Sequence, residues 1–176
     1  MRPITRYATT RDGLYIAYQV HGDGPIDLLF ISAFVSHVEH VWEDPGLARF
    51  LDRLTDFSRL IIMDRRGSGL SDDGPQDVEH EITDIETVLD AAASDRTAVL
   101  AYSAGGPLAA VFAGRRPDRV SALVLYACML RATRDDDLPW LQTSAERDAR
   151  FEQILQRWGE GTMRGALAPS AAGDVP

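Results

Sequence analysis

Ser103 is the residue whose neighbours single it out for chemistry. It sits in Val99-Leu100-Ala101-Tyr102-Ser103-Ala104-Gly105-Gly106-Pro107, with Ala101 two residues before it and Gly105 two residues after. Val99 to Ala101 make a short apolar run of the kind a buried parallel strand needs. Only small residues flank the serine at the places where bulk would clash. This is the spacing of a nucleophile elbow, in which a strand turns sharply into a helix and holds a serine in a strained backbone conformation. The hydroxyl then projects into a cleft, and the helix that follows points its N-terminus at the same place. A serine so held can attack a carbonyl carbon, given a base to take its proton and N–H donors to hold the oxyanion. The usual pattern is G-x-S-x-G. Here Ala101 stands at the first position, and an ordinary small-residue turn from strand to helix fits the same string.

The elements that must position this turn can be read along the chain. Residues 5–10 and 14–20 read as two strands around Arg11-Asp12-Gly13, an antiparallel edge with Leu14, Ile16, Tyr18 and Val20 on one face. Residues 26–32 form a continuous apolar strand. Ser32-Ala33-Phe34-Val35-Ser36-His37 follows it directly, at the carboxyl end of a strand, where ligands bind in open α/β sheets. Pro45 opens a helix with Leu47, Phe50, Leu51 and Leu54 on one side. Residues 60–63 are the next strand, and Asp64-Arg65-Arg66-Gly67-Ser68-Gly69-Leu70-Ser71-Asp72 is a charged turn beyond it. Ile82, Ile85, Val88, Leu89 and Ala92 mark a second helix. The strand of Ser103 comes next, then a small-residue helix over about 105–113 ended by Gly114 and Pro117, then a strand over 122–127. Strands alternating with helices predict an α/β protein: a mostly parallel sheet with helices on both faces. After residue 130 the character changes. Asp135-Asp136-Asp137 is a loop, Thr143 and Glu146 form a capping box, and Phe151, Ile154, Leu155 and Trp158 form an amphipathic stripe that Gly159, Gly161 and Gly165 break.

Composition narrows the function classes. The 176 residues are 45% apolar and 26% charged, with net charge −9 and no basic patch, which argues against nucleic acid and anionic membrane surfaces as partners. Cys128 is the single cysteine, so an internal disulfide is impossible and a reducing, cytoplasmic setting is expected. Residues 1–6 lack the apolar stretch of a signal peptide, and no apolar run approaches membrane-spanning length.

The strand, Ser32-Ala33-Phe34, helix, strand, Asp64-x-Arg66-Gly67-x-Gly69-x-Ser71-Asp72, helix, strand, Ser103 turn, helix and strand together resemble the N-terminal part of an α/β-hydrolase. The resemblance covers residues 10–130 well. On it, residues 1–130 are expected to be the N-terminal part of the core, and residues 131–176 the start of a helical cap or lid that looks cut, with the C-terminal strands of the fold absent. More narrowly, Ile16-Ala17-Tyr18-Gln19-Val20, Val35-Ser36-His37-Val38-Glu39, Trp42-Glu43-Asp44-Pro45 and Leu123-Val124-Leu125-Tyr126 resemble the hydrolase modules that actinobacteria fuse in front of class III adenylate/guanylate cyclases. Nothing cyclase-like lies in these residues.

The resemblance implies a role for each site residue. Ser103 is the nucleophile, and the oxyanion donors are the backbone N–H groups of Ala104 and Phe34. Serine in place of aspartate disfavours dehalogenase and epoxide hydrolase chemistry and favours cleavage of a small ester, lactone or thioester through an acyl-enzyme. The family order is serine, acid, then histidine. His21, His37, His40 and His80 all precede Ser103, so the usual base and acid fall outside this chain, and Asp135, Asp136 and Asp137 read as a solvated loop. His37 and Tyr102 are candidates to line the pocket. His37, Glu39 and His40 fit no usual zinc spacing, so no metal is expected, and no cofactor. Arg65 and Arg66 lack a phosphate-loop pattern, and Asp64 and Arg66 are expected to buttress the Ser103 turn, with Ser71 and Asp72 capping the segment after it. Cys128 is expected to be a small core residue. Trp42, Trp140 and Trp158 are expected to be packing groups. A non-catalytic sensing or regulatory module is the alternative. In either case an unpaired final strand predicts association, as a homodimer or with a complementing C-terminal segment.

Overall fold

The computed structural model describes residues 2–33 and 35–160. In chain order the elements are β1 (Arg6–Thr9), β2 (Tyr15–His21), β3 (Ile26–Ile31), a 3₁₀ turn (His40–Trp42), α1 (Pro45–Thr55), β4 (Ser58–Met63), α2 (Val78–Ala91), β5 (Thr97–Tyr102), α3 (Gly105–Arg115), β6 (Val120–Tyr126) and α4 (Ser144–Gln156). The six strands form one sheet in the order β1-β2-β4-β3-β5-β6. β3 pairs in parallel with β4 and β5, and β5 with β6, while β1 and β2 are antiparallel. This is the mostly parallel sheet that the alternation predicts. The chain divides into two compact units after Leu130.

In the first unit each face of the sheet is a separate apolar layer. On one face Ile16, Leu29, Ile61 and Val99 meet Ile85 and Leu89 of α2 and Phe112 of α3, all fully buried. On the other, Ala17, Leu28, Phe30, Leu60 and Ile62 meet Leu51 of α1 together with Val38 and Trp42. Helices on both faces explain why β2 differs from a half-exposed strand: Ala17 and Gln19 are as buried as Ile16 and Tyr18. Gln19 is satisfied there, accepting the Trp42 indole N–H at 2.8 Å and donating to Thr5 Oγ1 at 2.9 Å. α1 opens on Asp44, whose carboxylate accepts the Leu47 N–H, with Pro45 at its first position. α2 opens on Asp77, which accepts the N–H groups of Glu79 and His80. Ser71 and Asp72 therefore do not cap it. They stitch the turn to β2 instead, Ser71 Oγ accepting the Ala17 N–H and Asp72 Oδ2 the Tyr15 N–H, both at 2.9 Å.

α3 continues through Gly114 to Arg115, with Pro117 two residues beyond its end. α2 and the chain around the end of α3 are laced by Glu79–Arg115, Glu86–Arg116 and Asp90–Arg119 ion pairs. β6 pairs with β5 alone among the described strands, and Leu123, Val124, Leu125 and Tyr126 are 37%, 52%, 38% and 66% exposed. In the second unit, Thr143 and Glu146 form the predicted reciprocal cap of α4.

Candidate active site

The tight turn after β5 is built by strand and helix sterics. Ser103 has φ +53°, a left-handed conformation rare for a residue with a Cβ. Its N–H donates to the Tyr126 carbonyl at 3.1 Å, and its own carbonyl accepts the Gly106 N–H at 3.1 Å, so β6 and α3 hold the strained residue from both sides. Gly105 is required by close approach. A Cβ there would lie 2.5 Å from the Ser32 carbonyl oxygen and 2.7 Å from that of Ile31. A Cβ on Gly106 would collide with Cys128, which packs against the start of α3 and donates from Sγ to the Ala101 carbonyl at 3.3 Å. Cys128 is thus a packing group, half-buried and not fully in the core. Ala104 is the N-cap of α3 and is exposed, so the helix begins directly after the serine.

The Ser103 hydroxyl is half-buried and makes no hydrogen bond among the described residues. No imidazole is paired with it. His21 pairs with Asp52 at 3.3 Å, His40 with Glu43 at 2.9 Å and His80 with Asp77 at 2.8 Å. His37 is turned to its own loop, where Nδ1 accepts the N–H groups of Glu39 and His40, each at 3.3 Å. It also lines a small, half-open recess with Ser32, Ser36 and Asp64. Tyr102, 40% exposed, stacks on Tyr126 with ring centroids 5.8 Å apart. Together they rim an apolar groove of about 570 Å³ floored by Phe30, Leu100 and Val124, with Leu47, Phe50 and Leu54 of α1 along it. Phe34 lies outside the described residues. In the second unit, Asp135 Oδ1 accepts the N–H groups of Asp137 and Leu138, a local turn.

The charged turn after β4 braces the neighbourhood without touching Ser103. Asp64 is fully buried, and its Oδ2 accepts the Val38 N–H at 3.1 Å and the Leu70 N–H at 3.0 Å, so it ties this turn to the loop after β3. Gly69, at φ +55°, packs on that carboxylate with no room for a Cβ. Arg66 is buried and forms a two-pronged pair with Asp84 of α2, at 2.6 and 2.7 Å, and also donates to the Pro75 carbonyl. Asp84 holds the guanidinium pKa above its ordinary value. The expected buttress therefore runs to the β3 loop and to α2. Arg65 pairs with Glu81, so both arginines are neutralised within the protein. Asp64–Val38 and Arg66–Asp84 are partnerships that sequence reasoning missed, because the connection over 64–77 is mostly charged and polar and nothing in it marks which charges are buried.

Among the described residues no group of three or more His, Cys, Asp or Glu is arranged to hold a metal ion, and no helix is long and apolar enough to cross a membrane.

Comparison with known proteins bears on this geometry. The family model for the alpha/beta hydrolase fold matches residues 28–167. The pimeloyl-[acyl-carrier protein] methyl ester esterase of Chromobacterium violaceum is 32% identical over 144 residues, 75% of this chain and 54% of that protein. A hydrolase from Pseudomonas aeruginosa PA01 superposes with TM-score 0.67 at 26% identity, over 86% of this chain and 53% of that one. An esterase from Exiguobacterium antarcticum superposes with TM-score 0.74 at 23% identity, over 87% and 56%, a likeness of fold. The chain spans about half the length of these relatives.

Proposed function

Because the chain belongs to the alpha/beta hydrolase fold family, we propose that it is a serine hydrolase that cleaves a small carboxylic ester through an acyl-enzyme on Ser103. The observation that carries this reading is the Ser103 turn itself: φ +53°, a free hydroxyl, and the N-terminus of α3 beside it. In the proposed reaction Ser103 Oγ attacks the ester carbonyl carbon, and its proton passes to a base and then to the departing alcohol. The carbonyl oxygen carries negative charge meanwhile, held by backbone N–H groups, that of Ala104 and that of Phe34 in the loop after β3. Water then cleaves the acyl-enzyme, returning the hydroxyl and releasing the acid. The esterase named among the relatives supports the ester class.

The base is not among the described residues, and this favours a second reading. Every histidine is engaged away from Ser103. A module of this fold that senses a ligand or regulates an attached domain needs no base, and the likeness to cyclase-fused modules would suit it. With either reading we place the protein in the cytoplasm, acting on a small molecule and not on nucleic acid.

Labelling by a fluorophosphonate separates the readings. A form of the protein that supplies a histidine base should be labelled at Ser103, and Ser103→Ala should abolish it. Equal labelling of both removes Ser103 from the mechanism. The 176 residues alone should turn over p-nitrophenyl esters near background. In serine enzymes that lose the triad, the oxyanion hole and binding alone retain only about 10³–10⁴-fold over water.

A further inference from the structure

We propose that Ala127 is a positioning residue for Ser103: its left-handed backbone ends β6 in step with β5 and turns the strand end onto the serine turn. The inference rests on the reading of Ser103 as the reacting residue, and it names what sets the backbone of that residue. Among the described residues, three with a Cβ have a left-handed φ: Ala93 at +52°, Ser103 at +53° and Ala127 at +51°. Ala93 follows the end of α2. There the Ala93 N–H donates to the Asp90 carbonyl and the Ser94 N–H to the Leu89 carbonyl, an ordinary left-handed close of a helix. Ala127 follows a strand, so no helix end accounts for it. A residue in this region is strained and persists only where its surroundings over-determine it.

The surroundings of Ala127 are the serine turn. β5 and β6 pair in parallel as far as Tyr102 and Tyr126, and the next residue of each strand is left-handed. Between these two ends runs the bond from the Ser103 N–H to the Tyr126 carbonyl, 3.1 Å long. That carbonyl belongs to the planar peptide group joining Tyr126 to Ala127, so φ of Ala127 is one of the two dihedrals that flank the group and aim its oxygen. On the other side of Ala127, the Cys128 thiol donates to the Tyr126 carbonyl at 3.2 Å and to the Ala101 carbonyl at 3.3 Å, sharing its one hydrogen. Cys128 also packs on Gly106 with no room for a Cβ between them.

The two neighbours of Ala127 thus touch three parts of the serine turn: the Ser103 N–H, the end of β5 and the first turn of α3. A change of φ at 127 rotates the Tyr126 carbonyl relative to Cys128 and separates these contacts. Ala127 is itself exposed among the described residues, so a larger side chain there acts through the backbone. The backbone of Ser103 in turn fixes where its Oγ projects. Ala127 therefore governs the reacting atom without touching it.

The test uses Ala127→Gly, Ala127→Asn and Ala127→Val in the 176-residue chain. Glycine and asparagine accept a left-handed φ, and valine resists it. Amide exchange by NMR reads two groups in each variant. One is the Ser103 N–H. The other is the Asp64 N–H, which donates to the Ala17 carbonyl at 2.9 Å, at the end of β4 and two strands removed from β6. A general loss of stability lowers protection of both together. Ala127→Val should lower protection of Ser103 relative to Asp64 by roughly two- to ten-fold, the range of one backbone hydrogen bond, and should move the Ser103 amide resonance. Ala127→Gly and Ala127→Asn should leave both as in wild type. An unchanged ratio in Ala127→Val, or an equal fall in all three variants, would overturn the proposal. If Ala127→Val does not fold, Cys128→Ala and Cys128→Ser decide, since only the serine keeps a donor for the same two carbonyls. The Ser103 resonance should then move in Cys128→Ala and return in Cys128→Ser, and an unmoved resonance in Cys128→Ala overturns the proposal. These readouts do not require catalysis, so a failure of fluorophosphonate labelling would count against the hydrolase reading alone.

Discussion

Adding one methyl group to α3 should have opposite effects at its two ends. At Gly105 an added Cβ meets the Ser32 carbonyl oxygen at 2.5 Å, the Ile31 carbonyl oxygen at 2.7 Å and Ile31 Cγ2 at 2.8 Å. Two of these atoms are backbone and cannot rotate away, so the start of α3 must lift from the end of β3. Overpacking of this kind costs roughly 1–3 kcal/mol. For a chain of this size each kcal/mol shifts Tm by roughly 2–4 °C. Gly105→Ala should therefore lower Tm by about 2–12 °C. Gly114, near the other end of the same helix, has nothing within 4 Å of its would-be Cβ. There the substitution removes only the backbone freedom of glycine, worth about 0.5–1 kcal/mol in a helix, so Tm should rise by about 1–4 °C. Thermal unfolding followed by circular dichroism measures both. If Gly105→Ala proves as stable as wild type, the close approach of α3 to β3, and with it the argument for a sterically built turn, is wrong.

Arg66→Ala leaves the buried Asp84 carboxylate without its partner and should cost about 3–5 kcal/mol, read as a lower urea midpoint; a loss under about 1 kcal/mol would contradict the burial of the pair. Hydrogen bonds from Arg59 to Asp27 hold the Asp27 carboxyl below the usual carboxylate range. A depressed pKa in the folded state stabilises above the unfolded value of about 3.9 and loses that contribution as pH falls below it, so Asp27→Asn should destabilise at pH 6, lose that penalty toward pH 3, and flatten the acid limb of urea midpoint against pH. The edge of β6, unpaired among the described residues, should make the chain associate at high concentration, with a second copy or a complementing segment, and Val124→Lys should weaken that association in sedimentation velocity; a compact wild-type monomer at high concentration would speak against it.

The strands and helices of the first unit were legible because each is announced locally. Apolar runs mark β3, β4 and β5, a 3.6-residue stripe marks α2, and Pro45 marks the start of α1, as the Thr143 box marks that of α4 in the second unit. Ser103 was legible for the same reason, since a strained turn leaves its small neighbours in the sequence. What could not be read depends on partners far along the chain. Gln19 looks outward by alternation, yet its burial follows from β2 lying between β1 and β4 with helices on both faces. Ser71 and Asp72 look like caps, yet their hydrogen bonds go to β2. His37 looks like a pocket residue, and its backbone cap needs the 3₁₀ turn, which has no periodicity to betray it.

The bond from the Ser103 N–H to the Tyr126 carbonyl links the turn to a strand made after it. During synthesis the chain emerges with β5 and α3 ahead of β6. Before β6 adds in parallel to β5, the serine is therefore held from one side alone, by the Gly106 N–H at the start of α3. Until then β5 is itself a sheet edge, and the Ser103 N–H lacks its acceptor. A translation pause placed before Tyr126 would hold nascent chains whose serine turn has its α3 bond and not its β6 bond.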